Sequence, residues 1–175
     1  MDASTQANRP PGKAEFHAAI ARRSASWYAA CLRITHNPQQ AEDALQDALL
    51  SAWNKRGQFE SSARLETWIH RIAVNAALQV LRRSHPERFE PLEAELPDDR
   101  EQPQAQLLEA ELSTNLLSSL RQLTEMERVC FVLKHLEQWR LAEIAVELDT
   151  NTGVIKQALF RGVKKLRVSM AHLRS

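Results

Sequence analysis

Apolar residues recur along most of the chain at intervals of three and four positions, which is the period of an amphipathic α-helix. The first run of this kind predicts a helix from Ala14 to about Thr35 or His36. Its apolar members are Phe16, Ile20, Trp27, Cys31 and Ile34. We therefore expect the chain to begin its folded part with one long helix.

A second helix is predicted from Pro38 to Arg56. Asn37 can cap it, Pro38 suits the first helical position, and Gly57 suits the left-handed residue that ends a helix. Its predicted apolar face consists of Leu45, Leu49 and Trp53. Acidic and amide side chains share another side of the same helix: Glu42, Asp43, Gln46 and Asp47. One face should therefore pack, while the other presents negative charge to solvent.

A polar loop with Ser61 and Ser62 leads into a third predicted helix. Core-like spacing is found at Trp68, Ile72, Ala76 and Val80. The outward positions are polar or basic: Arg71, Asn75, Gln79, Arg82 and Arg83. Aromatic side chains interleaved with Arg and Asn can stack on unpaired bases and hold phosphates. The segment favours a nucleic-acid surface over a merely solvated surface with weak ion pairs.

The helical pattern stops between Ser84 and Gln106, where four prolines are mixed with seven acidic residues. Prolines prevent a long helix there, and like charges extend the chain. We interpret this segment as an acidic, proline-containing linker. The simplest role for such a linker is an inert tether between two globular units. Its 23 residues reach about 75 Å at most when fully extended. That length, about two turns of DNA, permits binding at two separate sites.

The helical pattern resumes at Leu107 and continues through Leu123. Thr124 and Glu127 have the spacing of a capping box, so a new helix should begin there. A short helix follows from Leu141 to Leu148, and its inward residues should be Ile144, Ala145 and Leu148. After a break at Asp149 to Asn151, a last helix should run from about Thr152 to His172. Two helices joined by a tight turn have the shape of a helix-turn-helix.

The last helix carries its apolar stripe at Ile155, Leu159, Val163, Leu166 and Met170. Outside that stripe lie Lys156, Gln157, Phe160, Arg161, Lys164, Lys165 and Arg167, and no acidic residue occurs from Gly153 to Ser175. In a major groove, Gln can pair with adenine and Lys with guanine, while later cations neutralise phosphates. The helix dipole explains cations near the C-terminal end but not Lys156 near the other end. DNA recognition is therefore the better interpretation.

Composition supports an all-α fold, because hydrophobic content is 43%, aromatic content is 6% and glycines number only 4. A chain of 175 residues can hold one ordinary domain or two small ones, and the linker favours two small helical domains. The net charge of +1 conceals the segregation of charge along the chain. We expect an intracellular protein without membrane insertion, since no apolar run is long enough to span a bilayer and no signal peptide is evident.

Candidate chemistry is sparse. Cys31 and Cys130 lie far apart in apolar helical patterns, so buried thiols are expected rather than a disulfide. The histidines are scattered singly, and zinc-binding spacings, glycine-rich phosphate loops and nucleophile elbows are absent from the sequence. We therefore predict no catalytic residue, no metal site and no cofactor, and we consider an enzyme the least favoured class.

Taken together, AEDALQDALLSAW, LETWIHRIAVNAALQVLRR, the acidic linker and LAEIAVELDTNTGVIKQALFRGVKKLR resemble a bacterial sigma factor of the extracytoplasmic-function (ECF, group IV) type in the sigma-70 family. The resemblance extends from Phe16 to Arg167. It implies a disordered N-terminus at residues 1–13, a region 2-like domain at 14–83, a flexible linker at 84–106 and a region 4-like helix-turn-helix domain at 107–175.

The resemblance also implies a role for each surface. The acidic positions Glu42, Asp43, Gln46 and Asp47 match those that dock on core RNA polymerase in the family. The positions that bind the −10 promoter element as a single strand, and help to open it, match Phe59, Ser61, Ser62, Arg64, Trp68, Arg71 and Asn75. Those that read the −35 element as duplex match Thr152, Lys156, Gln157, Phe160, Arg161 and Lys164. A cytoplasmic factor, nucleoid-associated when bound to polymerase and regulated by an anti-sigma factor, is implied as well.

Two other functions compete with this interpretation. A conventional helix-turn-helix regulator would bind duplex operator DNA by itself, often as a symmetric dimer. A helical adaptor that binds only proteins would not need Lys156 or Arg161. Family members commonly have Ser and Arg where this chain has Gln157 and Ala158, so the resemblance transfers the mode of DNA binding and not the promoter sequence.

Overall fold

The computed structural model describes residues 9–84 and 115–173, and all secondary structure in these two ranges is helical. The N-terminal unit contains α1 (Lys13–Thr35), α2 (Pro38–Asn54) and α3 (Leu65–Ser84). The C-terminal unit contains α4 (Leu116–Leu120), α5 (Glu125–Phe131), α6 (Leu141–Glu147) and α7 (Thr152–Leu173). Two compact helical units confirm the predicted all-α fold class. Apart from Ser84, the predicted acidic linker lies outside the described residues. Of the helical segment expected from Leu107 to Leu123, residues 107–114 lie outside them, and the described part contains α4.

Local signals fixed the start of α2 but not its end. The Asn37 side chain accepts a hydrogen bond from the Gln40 N–H at 3.1 Å, and Pro38 occupies the first position, as predicted. Gly57 was expected to end the helix in a left-handed conformation, and this was wrong: it lies in a single 3₁₀ turn, Arg56–Gln58, without a positive φ. Instead, Arg56 donates to the Trp53 carbonyl at 2.8 Å and covers the Trp53 ring. A side chain thus satisfies the C-terminal carbonyl.

Alanines form the buried stripe of α2. The fully buried positions are Ala41, Ala44, Ala48 and Ala52. The predicted apolar face at Leu45, Leu49 and Trp53 is only half-buried, so the expected core face was displaced. Because α2 packs against both α1 and α3, small side chains at the centre let the three helices approach closely, and larger ones lie at the margin. The Trp53 ring meets Phe16 edge-on, with ring centroids 5.2 Å apart.

The buried face of α3 is also displaced from the predicted one. Trp68, Ile72 and Ala76 are half-buried, and among the predicted core positions only Val80 is buried. The observed core residues are Ile69, Ala73, Val74, Ala77, Leu78, Val80 and Leu81. Contact with two helices, α1 and α2, requires a wide apolar stripe, and that stripe begins one position later than the pattern indicated.

The C-terminal unit follows its local signals closely. Thr124 and Glu127 form the predicted capping box, with both backbone-to-side-chain distances at 3.3 Å. Beyond α5, a π-helical turn at Val132–Leu136 leads towards α6. The predicted inward residues of α6, Ile144, Ala145 and Leu148, are buried. Asp149 adopts a left-handed conformation with φ of 52°, which makes the turn of the helix-turn-helix.

α7 packs its apolar stripe against α5 and α6. Ile155, Val163 and Leu166 are buried, whereas Leu159 and Met170 are half-buried. Two small residues, Ala158 and Gly162, complete the buried face. The Asn151 side chain caps the helix by accepting from the Val154 N–H at 3.0 Å. This packing leaves the outer face of α7 exposed along its first three turns.

Candidate nucleic-acid and protein interfaces

The acidic side of α2 is exposed as a continuous stripe. Its members are Glu42, Asp43, Gln46 and Asp47, all of them exposed. Gln39 donates to the Asp43 carboxylate at 3.1 Å, and Arg83 of α3 approaches the Asp47 carboxylate to 3.8 Å. A shallow cleft of about 310 Å³ between α2 and α3 is lined by Asp43, Gln46, Asp47 and Arg83. The stripe can therefore receive a cationic side chain from a protein partner.

Leu50 extends the acidic stripe and was not recognised from the sequence. It lies one turn beyond Gln46 and Asp47 and is 65% exposed. The signal was the adjacent pair Leu49 and Leu50, because successive helical residues point about 100° apart and a narrow buried stripe leaves one of the two outside it. An exposed leucine beside charged residues is suited to anchor a protein contact.

The loop before α3 and the start of α3 form an aromatic and basic surface. The Phe59 and Trp68 rings lie 5.5 Å apart between centroids, and both side chains are half-buried. Ser61, Ser62 and Arg64 are exposed in the loop. On α3, Arg71 is exposed and Asn75 is half-buried. Arg71 and Asn75 follow Trp68 by three and seven positions, so these three side chains share one side of the helix.

The outer face of α7 carries most of the positions predicted to read duplex DNA. Those that are exposed are Thr152, Lys156, Phe160, Arg161 and Lys164. The sixth position, Gln157, is half-buried. Phe160 is 47% exposed, which leaves part of its ring available to a ligand. Basic and aromatic side chains thus share one accessible surface with no acidic residue within it.

Lys165 differs from its neighbour Lys164. Its ammonium group lies 2.7 Å from the buried Glu127 carboxylate of α5, so it fastens α7 to the rest of the C-terminal unit. The sequence placed both lysines on one outer face, and only the fold separates them. Lys164 remains a candidate for DNA contact, whereas Lys165 is a structural residue.

The thiols and carboxylates give no indication of catalytic chemistry in the described part of the chain. The side chains of Cys31 and Cys130 are buried thiols, as expected. Burial raises the pKa of the Cys130 thiol to about 12. Among residues 9–84 and 115–173, no cluster of His, Cys, Asp and Glu has the size needed to hold a metal ion. No described helix is both long and apolar enough to cross a membrane.

Both helical units match known protein families. Residues 20–86 match the family model of sigma-70 region 2, and residues 113–166 match that of sigma-70 region 4. The RNA polymerase sigma factor CarQ of Myxococcus xanthus is 31% identical over 148 residues, a match that covers 81% of this chain and 80% of CarQ. The chain belongs to the ECF sigma factors of the sigma-70 family. It directs promoter-specific initiation of transcription.

Two further relatives support the assignment, one to the family and one to the fold. The ECF RNA polymerase sigma factor SigW of Bacillus subtilis is 27% identical over 158 residues, which cover 83% of each chain. The sigma factor RpoE of Bartonella quintana, solved in complex with the anti-sigma factor NepR, has a TM-score of 0.55 and 18% identity. That match covers 89% of this sigma factor and 96% of RpoE, and it supports the fold alone.

Proposed function

We propose that this sigma factor is a dissociable promoter-specificity subunit without catalytic chemistry of its own. In this proposal the acidic stripe of α2 docks on core RNA polymerase, the loop and α3 capture the −10 element, and α7 reads the −35 element. The observation that carries it is the separation of charge: one acidic face and two basic, partly aromatic faces, exposed on different helices.

Docking on the polymerase combines charge with an apolar contact. Asp43 and Asp47 offer negative charge to a basic partner surface, and Leu50 provides the apolar contact next to them. Exposed charges steer association, while a buried apolar anchor slows dissociation. We therefore extend the predicted polymerase-binding set, Glu42, Asp43, Gln46 and Asp47, by Leu50.

Capture of the −10 element requires unpaired bases. The tilted pair Phe59 and Trp68 offers aromatic surface on which bases can stack, and each stacked base contributes about 1–3 kcal/mol. Arg64 and Arg71 can neutralise the backbone, and Ser61, Ser62 and Asn75 can hydrogen-bond base edges. Because stacking on these rings requires unpaired bases, binding at this surface would also favour the opening of the duplex.

Recognition of the −35 element uses the exposed N-terminal half of α7. Lys156 and Gln157 would face base edges in the major groove, and Arg161 and Lys164 would neutralise phosphates. Thr152 lies where a helix N-terminus approaches the DNA backbone. Two weak contacts connected by a tether gain affinity through effective concentration.

Run-off transcription with purified bacterial core RNA polymerase on a genomic fragment library tests the whole proposal. Defined transcripts should appear only when both the polymerase and this chain are present. Tight, polymerase-independent binding of the chain to duplex DNA as a dimer would instead indicate a conventional regulator. Unchanged activity after substitution of Lys156 and Arg161 by Ala would indicate a protein-only adaptor.

Charge reversal tests the docking surface. Asp43→Lys together with Asp47→Lys should abolish association with core polymerase and leave helical content unchanged. Glu15→Lys, on the exposed side of α1, is the matched control and should retain association. If the double variant still binds core polymerase, the acidic stripe of α2 is not the interface.

Adjacent lysines test the −35 surface. Lys164→Ala should weaken promoter binding by the polymerase complex and lower the dependence of log K on log salt by about 1. Lys165→Ala should leave that slope unchanged, because Lys165 is engaged by Glu127. Equal slopes for the two variants would mean that Lys164 contacts no phosphate.

Regulation and location follow from the same proposal. The solved relative RpoE is bound to an anti-sigma factor, and we propose a partner of that kind for this chain. A factor that acts with polymerase on promoter DNA must be in the same compartment as both. We therefore propose that this sigma factor is cytoplasmic and is associated with the nucleoid when bound to polymerase. Co-purification from cells grown without inducing stress would identify such a partner.

A further inference from the structure

A cleft of about 420 Å³ lies between α1 and the start of α3, beside the proposed −10 surface. Residues of α1 form one wall and residues at the start of α3 form the other. The side chains that matter here are Arg22, Arg23, Ser26, Arg64, Glu66 and Thr67. Neither the predicted site nor the proposed function uses this cleft, except for Arg64.

The cleft has a positive charge that its own carboxylate does not neutralise. Arg22 donates a hydrogen bond to Glu66, and this contact lowers the pKa of the Glu66 carboxyl, which is therefore ionised at neutral pH. Glu66 neutralises one of the three arginines that line the cleft. The other two arginines, Arg23 and Arg64, leave an excess of positive charge in the cleft.

Other features of the cleft suit an oxyanion. Thr67 belongs to the first turn of α3, where backbone N–H groups lack helical acceptors and the helix dipole is positive. The Glu66 N–H in the same turn already donates to the Glu66 carboxylate. The hydroxyls of Ser26 and Thr67 add donors. Trp27, which is 1% exposed, forms part of the lining, whereas Arg23 and Arg64 are exposed to solvent. Water therefore screens their charges, and each contact should contribute about five-fold in affinity or less, which corresponds to about 1 kcal/mol.

We propose that this cleft holds a backbone phosphate of the single-stranded −10 DNA, with Arg23 and Arg64 as its principal ligands. The inference rests on the proposed function of the α3 surface. Arg64 belongs to both sites, since it follows the serine loop directly and also lines the cleft. A strand whose bases stack on Phe59 and Trp68 would pass Arg64 and reach Arg23 of α1. Glu66 opposes the phosphate and limits its affinity.

The test uses the complex of the full chain with core RNA polymerase and a promoter selected by the wild type. The probe is a forked DNA, duplex upstream and single-stranded over the non-template −10 element. Arg23→Ala should weaken binding about three- to five-fold and lower the salt slope by about 0.7, the value for one single-strand phosphate. Glu66→Gln should act in the opposite direction and tighten binding about two- to three-fold. Arg9→Ala, which removes an exposed arginine outside the cleft, should change neither quantity.

Neutral methylphosphonate linkages, placed one at a time along the single strand, locate the phosphate. At one position the substitution should weaken wild-type binding and have a clearly smaller effect on Arg23→Ala, in which only Arg64 remains to contact that phosphate. Inorganic phosphate at the same ionic strength should not compete, because the strand contributes stacking as well as charge. Competition at low millimolar phosphate would mean that the cleft binds a free anion, and this would overturn the assignment to DNA.

The outcomes separate this inference from the proposed function. If the wild-type complex fails to bind the forked DNA, the proposed function fails. If it binds, but Arg23→Ala behaves like Arg9→Ala or every methylphosphonate affects both proteins equally, only the phosphate site is refuted. Losses of the same sign for Arg23→Ala and Glu66→Gln would mean that the cleft contributes structure rather than a DNA contact.

Discussion

Replacing Lys165 by Met should loosen the packing of α7 against α5. Methionine retains the apolar stem and removes the cation that lies 2.7 Å from the Glu127 carboxylate. Glu127 is 5% exposed, so its charge would remain buried without a cation, with the Thr124 N–H still donating to it. Breaking a buried pair costs roughly 3–5 kcal/mol, and an exposed pair contributes below about 1 kcal/mol. The Lys165 side chain is 44% exposed, so we expect about 2 kcal/mol.

Hydrogen exchange of the full chain, resolved by peptide mass spectrometry, measures this loss where it occurs. Peptides from α5 and α7 should exchange about 30-fold faster in Lys165→Met, since 1.4 kcal/mol is a factor of ten. Peptides from α1 to α3 serve as the internal reference. Lys164→Met is the matched control, because that exposed side chain does not contact Glu127, and its effect should remain within about 0.5 kcal/mol.

A double-mutant cycle with Glu127→Gln isolates the contact. Glutamine keeps an oxygen that can accept from the Thr124 N–H but carries no charge that needs a cation. The two changes together should therefore cost about 1–1.5 kcal/mol less than the sum of their separate effects. Additive losses, or equal losses for Lys164→Met and Lys165→Met, would refute the assignment of Lys165 as the residue that joins α7 to α5.

Three further changes should alter the C-terminal unit in predictable directions. Gly162→Ala should stabilise it by about 0.5–1 kcal/mol in urea unfolding, because the added Cβ would meet Glu127 Cβ at an ordinary 3.6 Å; a loss would mean that α7 cannot accept a methyl group there. Asn151→Ala should cost about 1 kcal/mol through loss of the cap, and Asn151→Ser should restore most of it; equal losses would exclude capping. Because burial raises the pKa of Cys130 from 9.0 to about 12, its thiol stabilises the fold below pH 9 and loses that effect as pH rises. Between pH 8 and 10 the wild type should lose about 1.4 kcal/mol more than Cys130→Ala, and identical pH profiles would contradict this.

The features that the sequence predicted correctly are those governed by near neighbours. The Asn37 cap and the Thr124 and Glu127 capping box form because the two partners lie three residues apart, a spacing that any helix start imposes. Asp149 turns the chain between α6 and α7 because Asp tolerates positive φ. The exposure of the acidic stripe on α2 was predictable as well, since charged side chains are rarely buried without partners.

Apart from the left-handed helix end expected at Gly57, the incorrect predictions concern helix faces whose burial is decided by distant parts of the chain. α2 has two apolar stripes with the same period, one of alanines and one containing Leu45 and Leu49. Periodicity cannot decide between them. The alanine stripe is buried because α1 and α3 both approach α2 there, and only small side chains allow that spacing. Because the alanine stripe is the buried one, Leu50 lies on the exposed side of α2.

The sequence by itself determined the helical period, the caps, the tight turn and the segregation of charge, because each depends on residues within about one or two turns of each other. Only the tertiary structure decided which stripe is buried, that Lys165 is bound to Glu127 while Lys164 is exposed, and that Arg22 and Arg23 share a cleft with Arg64. These pairs are separated by 38 or more positions. Their contacts depend on how the helices pack, which no local pattern records.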